Sequence, residues 1–168
     1  MTTDTRLSQL NIWLSPLADK WSLNMASIAP ASSDASFRRY FRVLSTSGDS
    51  FIVMDAPPSH EDTRPFIHIA KLMAQSGLNT PLILEENISE GFLLLSDLGN
   101  QTYLSCLNTE TAPKLYKDAM GALVKMQMSP KDETVALYDR ALLTRELMLF
   151  PEWYLTKHLG MSLTDAQT

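Results

Sequence analysis

Cysteine is nearly absent: Cys106 is the single thiol in 168 residues. One thiol cannot close an internal disulfide. With His60, His68 and His158 scattered along the chain, no Cys/His cluster has metal-ligand spacing. Long apolar runs are missing as well. No wholly apolar stretch is longer than residues 92–95, far below the ~20 residues that span a bilayer. The polar start, with Asp4 and Arg6, does not read as a signal peptide. A cytoplasmic protein without membrane contact is therefore expected. Positive charge is not in excess either: the net charge is -5. Nothing at that balance would neutralise a nucleic-acid backbone, although local basic clusters can still meet a small anion. Glycine-rich phosphate loops are lacking, since neither a Walker loop nor G-x-G-x-x-G occurs.

What is present suits a globular domain. Hydrophobic residues make up 45% and charged residues 20%, enough to form a core. Over residues 5–21, Leu7, Leu10, Leu14, Leu17 and Trp21 form a helical stripe that Pro16 interrupts. Residues 36–45 then change period and predict a strand, with Phe37, Phe41 and Val43 on one face and Arg38, Tyr40 and Arg42 on the other. Thr46-Ser47-Gly48-Asp49 supplies a turn, and residues 51–54 return as the second arm of a hairpin. Residues 25–30 suit a preceding strand. After Pro57-Pro58 a helix should begin near Asp62 or Thr63, bury Phe66, Ile69, Ala70 and Met73, and stop at Gly77. Two further extended runs follow, at 82–85 and 91–95.

The remainder predicts helices. Residues 111–128 carry Leu115, Ala119, Ala122 and Met126 at helical spacing, and Met120, Met126 and Met128 read as core filling. Residues 139–159 carry Leu143, Leu147, Phe150 and Tyr154, with Asp139 as a cap and Pro151 as a kink or break. Strands early and helices late predict an α+β protein in two layers or lobes, joined at Ser96-Asp97-Leu98-Gly99.

Three segments could carry chemistry. Residues 30–36, Pro-Ala-Ser-Ser-Asp-Ala-Ser, are small enough for a phosphate to approach the backbone N–H groups. Ser32, Ser33 and Ser36 add hydroxyls, and Arg38, Arg39 and Arg42 follow with guanidinium forks. A plain polar turn explains the same residues. The strand leading into Ser96, Asp97 and Leu98 leaves backbone groups that could meet the edge of a planar ligand. An ordinary strand end with an Asx turn at Asp97 is the other reading. Arg145-Glu146 and the Glu152-Trp153 pair beside Pro151 combine charge and an aromatic ring in a way that suits a sugar. A packed amphipathic helix with one kink is the reading the residues alone favour.

Taken together, Ser33-Asp34-Ala35-Ser36-Phe37-Arg38-Arg39-Tyr40-Phe41-Arg42, Ile52-Val53-Met54-Asp55-Ala56-Pro57-Pro58, residues 92–99 and Arg145-Glu146-Leu147 with Phe150-Pro151-Glu152-Trp153-Tyr154-Leu155 resemble the aminoglycoside phosphotransferase family. Within it the likeness is to bacterial kinases that use ATP to phosphorylate N-acetylmuramate and N-acetylglucosamine at the anomeric hydroxyl. The resemblance implies a protein-kinase-like N-lobe over residues 1–98, an antiparallel sheet with a helix, and the start of a helical C-lobe over 99–168. It implies nucleotide contacts from Ser32, Ser33, Asp34, Ser36, Phe37, Arg38, Arg42, Ser96, Asp97 and Leu98. It places Arg145, Glu146, Glu152 and Trp153 near the sugar.

Two departures qualify the resemblance. The lysine that clamps phosphates in the wider group is missing from Ile52-Val53-Met54-Asp55, which leaves the loop and Arg38 or Arg42 for that task. No His-x-Asp-x-x-x-x-Asn segment occurs, so catalytic and magnesium-binding residues are expected outside this chain, which alone should show no sugar-kinase turnover. An incomplete C-lobe surface should also be prone to self-association. Kinases of other small alcohols, such as aminoglycosides or choline, remain open at this point. So does a non-catalytic kinase-like binding module.

Overall fold

The computed structural model describes residues 4–33, 36–129 and 132–164. The chain forms two compact units, divided between Ser129 and Pro130.

The first unit opens with α1 (Thr5–Leu14), capped by the Asp4 carboxylate, which accepts from the Leu7 N–H. Pro16 ends the α-helical winding: a 3-10 turn at Ser15–Leu17 leads into the single turn α2 (Ala18–Trp21). Five strands follow, β1 (Ala29–Ser33), β2 (Arg39–Leu44), β3 (Ser50–Asp55), β4 (Ile83–Asn87) and β5 (Phe92–Ser96). They pair antiparallel in the order β1-β2-β3-β5-β4, and α3 (Thr63–Gln75) connects β3 to β4. This is the expected α+β arrangement of a kinase-like N-lobe. Both outer strands carry a register shift, between Pro30 and Ser32 in β1 and between Ile83 and Glu85 in β4.

Strand alternation splits the core in two. On one face Phe41, Val43, Val53, Phe92 and Leu94 pack with Leu10 and Leu14 of α1, and Leu7, Leu17 and Trp21 extend the contact. On the other face Met54, Leu93 and Leu95 meet Ile67 of α3. The helical stripe of α1 is the expected one. That of α3 is rotated: Thr63 and Ile67 are buried whereas Ile69 is exposed. One turn apart, Thr63 and Ile67 point at the sheet together, and Ile69 falls to the side. Phe37 also departs from expectation. The strand starts at Arg39, so Phe37 lies outside the ladder, is 62% exposed, and packs on the ring of His60 at 4.3 Å.

The α1 face holds a charged row. Arg39, Asp55 and Phe92 are register partners across β2, β3 and β5. The Asp55 carboxylate is fully buried. It accepts from Arg6 Nε and Nη2 at 3.0 and 2.5 Å and from Arg39 Nε and Nη2 at 2.9 and 2.6 Å. Arg6 lies over the Phe92 ring, 4.2 Å from its centre, and Arg39 reaches on to Asp4. The row therefore ties α1 to three strands.

Still in the first unit, α4 (Tyr103–Cys106) is a single turn with a Thr102 capping box, and α5 (Ala112–Gln127) has no buried residue. Met120, Met126 and Met128 are exposed rather than core-filling. Among the described residues, no helix is long and apolar enough to cross a membrane.

In the second unit α6 (Arg140–Leu149) is capped by Asp139, which accepts from the Leu142 N–H. It gives way to a π-helix at Phe150–His158. Pro151 lacks an N–H, so the α-helical ladder cannot continue through it. The wider winding shows in the Leu159 N–H, which donates to the Tyr154 carbonyl five residues back at 3.0 Å.

Candidate functional site

The β1–β2 hairpin, the α3 face of the sheet and the turn after β5 line a half-open cavity of about 450 Å³. That lies within the roughly 300–1,000 Å³ usual for small-molecule sites. Ala31 and Ser32 line it from β1, Tyr40 and Arg42 from β2, and Ile52 from β3. Leu95, Ser96, Asp97, Leu98 and Gly99 form the opposite wall, and Phe66 and Pro81 close one side.

Five of the expected nucleotide residues, Ser32, Arg42, Ser96, Asp97 and Leu98, thus share one cavity. Ser36, Phe37 and Arg38 do not line it; they lie in the connection between β1 and β2. The Ser33 backbone belongs to β1, opposite Arg39, and Asp34 lies outside the described residues. Alternation along the hairpin already put Tyr40 beside Arg42, so Tyr40 and Ile52 were recoverable as wall residues from sequence. Pro81 gives no such signal, because a connection of 27 residues separates β3 from β4.

The wall at Ser96 to Gly99 is held by Asp97. Its carboxylate accepts from Arg42 Nε at 2.5 Å and Nη2 at 3.0 Å, from the Ser50 hydroxyl at 2.8 Å and from the Gly99 N–H at 2.8 Å. Arg42 Nη2 also donates to the Gly99 carbonyl at 3.1 Å. The Asx turn expected at Asp97 is therefore present, and a bidentate ion pair braces it. The Ser96 N–H donates to the Leu82 carbonyl, and its hydroxyl accepts from the Leu82 N–H. Among the described residues, neither the N–H nor the C=O of Leu98 has a hydrogen-bond partner.

The Arg42 guanidinium, aided by Ser50 and the Gly99 N–H, holds the Asp97 carboxyl at about 2 against an ordinary 3.8, although burial pushes it up. A carboxyl depressed on folding stabilises the folded state above its unfolded value and stops doing so as pH falls through its folded value. Asp97→Asn should therefore lower stability at neutral pH. The gap to the unaltered chain should close between pH 4 and 2, read as urea midpoints across that range. A gap constant with pH would exclude the ion pair as its cause.

The four residues expected near a sugar lie in the second unit. Arg145 and Glu146 approach to 3.7 Å, and both are exposed. The Trp153 ring is covered on one face by Lys157 Nζ at 3.5 Å, and Phe150, Tyr154 and His158 stack in a row along the π-helix.

A sequence profile of the phosphotransferase enzyme family matches residues 27–167. The chain belongs to that family. Among curated proteins it is 48% identical over 171 residues to an N-acetylmuramate/N-acetylglucosamine kinase of Pseudomonas putida, covering 98% of this chain and 50% of the relative. A protein of the same name from Pseudomonas aeruginosa is also 48% identical, over 97% of this chain and 50% of its own length. One from Neisseria meningitidis serogroup B is 40% identical over 141 residues, 82% of this chain and 42% of the relative. The chain spans about half the length of the curated relatives it matches. Family membership gives the cavity a context, since it is bounded by the strand-to-turn junction expected to meet a nucleotide base.

Proposed function

We propose that this chain forms the nucleotide-binding part of a cytoplasmic, ATP-dependent phosphotransferase acting on a small-molecule hydroxyl, that of an N-acetylmuramate- or N-acetylglucosamine-type amino sugar of cell-wall recycling. The observation that carries the reading is the cavity wall at Leu98. Leu98 lines the cavity together with Ala31, Ile52 and Leu95, and among the described residues its N–H and C=O have no partner. A flat heteroaromatic ring with a donor and an acceptor on one edge suits that cavity, and adenine is such a ring. Ser32, Arg42, Ser96 and Asp97 complete the wall. The family and the names of the relatives support phosphoryl transfer to an amino sugar.

Magnesium would accompany ATP, neutralising charge on the phosphates. No His-x-Asp-x-x-x-x-Asn segment occurs, and this reading draws the metal's ligands from outside the chain. The sugar end is assigned to Arg145, Glu146, Glu152 and Trp153, where a ring could stack and hydroxyls find charged partners. Self-association through the exposed apolar side of α5, with Tyr116, Met120 and Leu123, belongs to the same reading.

Thermal melting with a non-hydrolysable ATP analogue tests the nucleotide assignment. At a hundredfold excess over Kd, binding should stabilise the chain by ~2.7 kcal/mol, several degrees for a domain of this size. Ala31→Trp, which puts an indole into the cavity, should abolish the shift while leaving the unliganded melting temperature close to the original. An unaltered chain that ignores the analogue would end the proposal. Sedimentation of the same samples reads self-association. Addition of N-acetylglucosamine with and without Trp153→Phe reads the sugar end through indole emission.

A further inference from the structure

The cavity has a neighbour. A second hollow of about 610 Å³ shares Phe66 and Pro81 with it, walled also by Arg38, Glu61, Asp62, Pro65 and Ile69. Each of the two hollows has one cation in its wall, Arg42 in the first and Arg38 in the second. Arg42 sits within β2, whereas Arg38 comes just before its first paired residue, Arg39. They are four positions apart, at most ~14 Å along the chain, which is the scale of an extended nucleoside triphosphate.

Their contacts differ. Arg42 is committed, giving two hydrogen bonds to Asp97 and one to the Gly99 carbonyl. An incoming phosphate would have to break a bidentate pair that also sets the turn. Arg38 is held loosely. Its Nε donates to the Ser36 hydroxyl at 3.3 Å and lies 3.8 Å from Glu61, beyond hydrogen-bond reach. Among the described residues, neither of its Nη groups has a hydrogen-bond partner. A guanidinium presents five N–H donors in a fork that fits phosphate oxygens. The third arginine of the hairpin, Arg39, is on the opposite face, bound to Asp55 and Asp4. Asp55, where a strand lysine would be sought, faces that opposite side as well.

We infer that Arg38 is the cation that meets the phosphate end of the nucleotide, with Glu61 as its positioning residue, while Arg42 is the latch of the base-facing turn. This rests on the nucleotide reading above. The residues beside Arg38 are already fixed: Phe37 packs on His60, the neighbour of Glu61, and the Arg38 N–H donates to Ser36 Oγ at 3.2 Å. Glu61 keeps the guanidinium over the second hollow without saturating it. A triphosphate lying there offers closer and more numerous acceptors.

Calorimetric titration of the full chain with ATP and with adenosine tests the assignment. Arg38→Ala should weaken ATP by about 10- to 100-fold, the value of a charge-assisted pair, and leave adenosine within about twofold. Arg38→Lys should recover part of the loss, because charge returns without the fork. Glu61→Gln should weaken ATP less than Arg38→Ala and spare adenosine. Equal losses for ATP and adenosine in Arg38→Ala would make the residue structural and overturn the inference, as would an unchanged ATP affinity. Should Arg38→Ala fail to fold, the ATP-to-adenosine ratio in Arg38→Lys and Glu61→Gln decides by the same criterion. An unaltered chain that binds neither ligand refutes the nucleotide reading itself. One that binds adenosine as tightly as ATP refutes Arg38 alone.

Discussion

Asp55→Ala is expected to cost about 3–5 kcal/mol, the usual result of removing one partner from a buried ion pair. Against a total stability of ~5–15 kcal/mol that leaves a chain close to unfolding at room temperature. The reason is geometric. The carboxylate is fully buried and takes four guanidinium hydrogen bonds from Arg6 and Arg39. Without it two cations converge on an apolar sheet face, and α1 loses its polar tie to β3. Arg39→Ala leaves the Arg6 pair in place and should cost clearly less. Urea unfolding followed by circular dichroism compares the two. If Asp55→Ala lost less than ~1 kcal/mol, the row would not be what fastens α1 to the sheet.

Gly91→Ala is expected to be nearly as damaging. Gly91 precedes β5 at φ +72°, and a Cβ there would lie 1.9 Å from the Ala56 carbonyl oxygen and 3.0 Å from its carbon. The Ala56 N–H donates to the Gly91 carbonyl at 2.9 Å, so the two backbones cannot simply part. Left-handed backbone costs an L-residue ~1–2 kcal/mol, and forced overpacking adds ~1–3 kcal/mol. A total near 3–4 kcal/mol should follow. Gly48 supplies the control, at φ +97° with nothing within 4 Å of the added carbon. Gly48→Ala should show only the conformational part, about 1–2 kcal/mol. Similar losses at both positions would mean that the contact with Ala56 relaxes at little cost.

Local chemistry was legible in the sequence, and long-range pairing was not. Alternation sorts Phe41 and Val43 from Tyr40 and Arg42, and the caps at Asp62 and Asp139 follow from short polar side chains before helical runs. The same alternation fails at Phe37, because a strand must be paired to keep its period and pairing starts at Arg39. The stripe of α3 was misplaced by part of a turn, since Ile67 and Ile69 are both apolar and only the sheet decides between them. A third of the candidate wall was recognisable: Ser32, Arg42 and the Ser96 to Leu98 turn share one cavity. That Arg42 and Asp97 would hold each other was not foreseeable, since they stand 55 positions apart. Nor was Asp55 as a structural centre, 49 residues from Arg6. No periodicity carries such information.

The two register shifts in the sheet have a consequence for how copies of this chain can meet. A regular outer strand is a template on which a foreign strand can add and seed aggregation. Here β1 breaks step at Pro30, which has no N–H to offer, and β4 breaks step before Glu85 and Glu86. Growth by strand addition is thus discouraged at both margins. Copies that come together should do so through side chains on helices, as reversible assemblies that dilution disperses, rather than as cross-strand fibres.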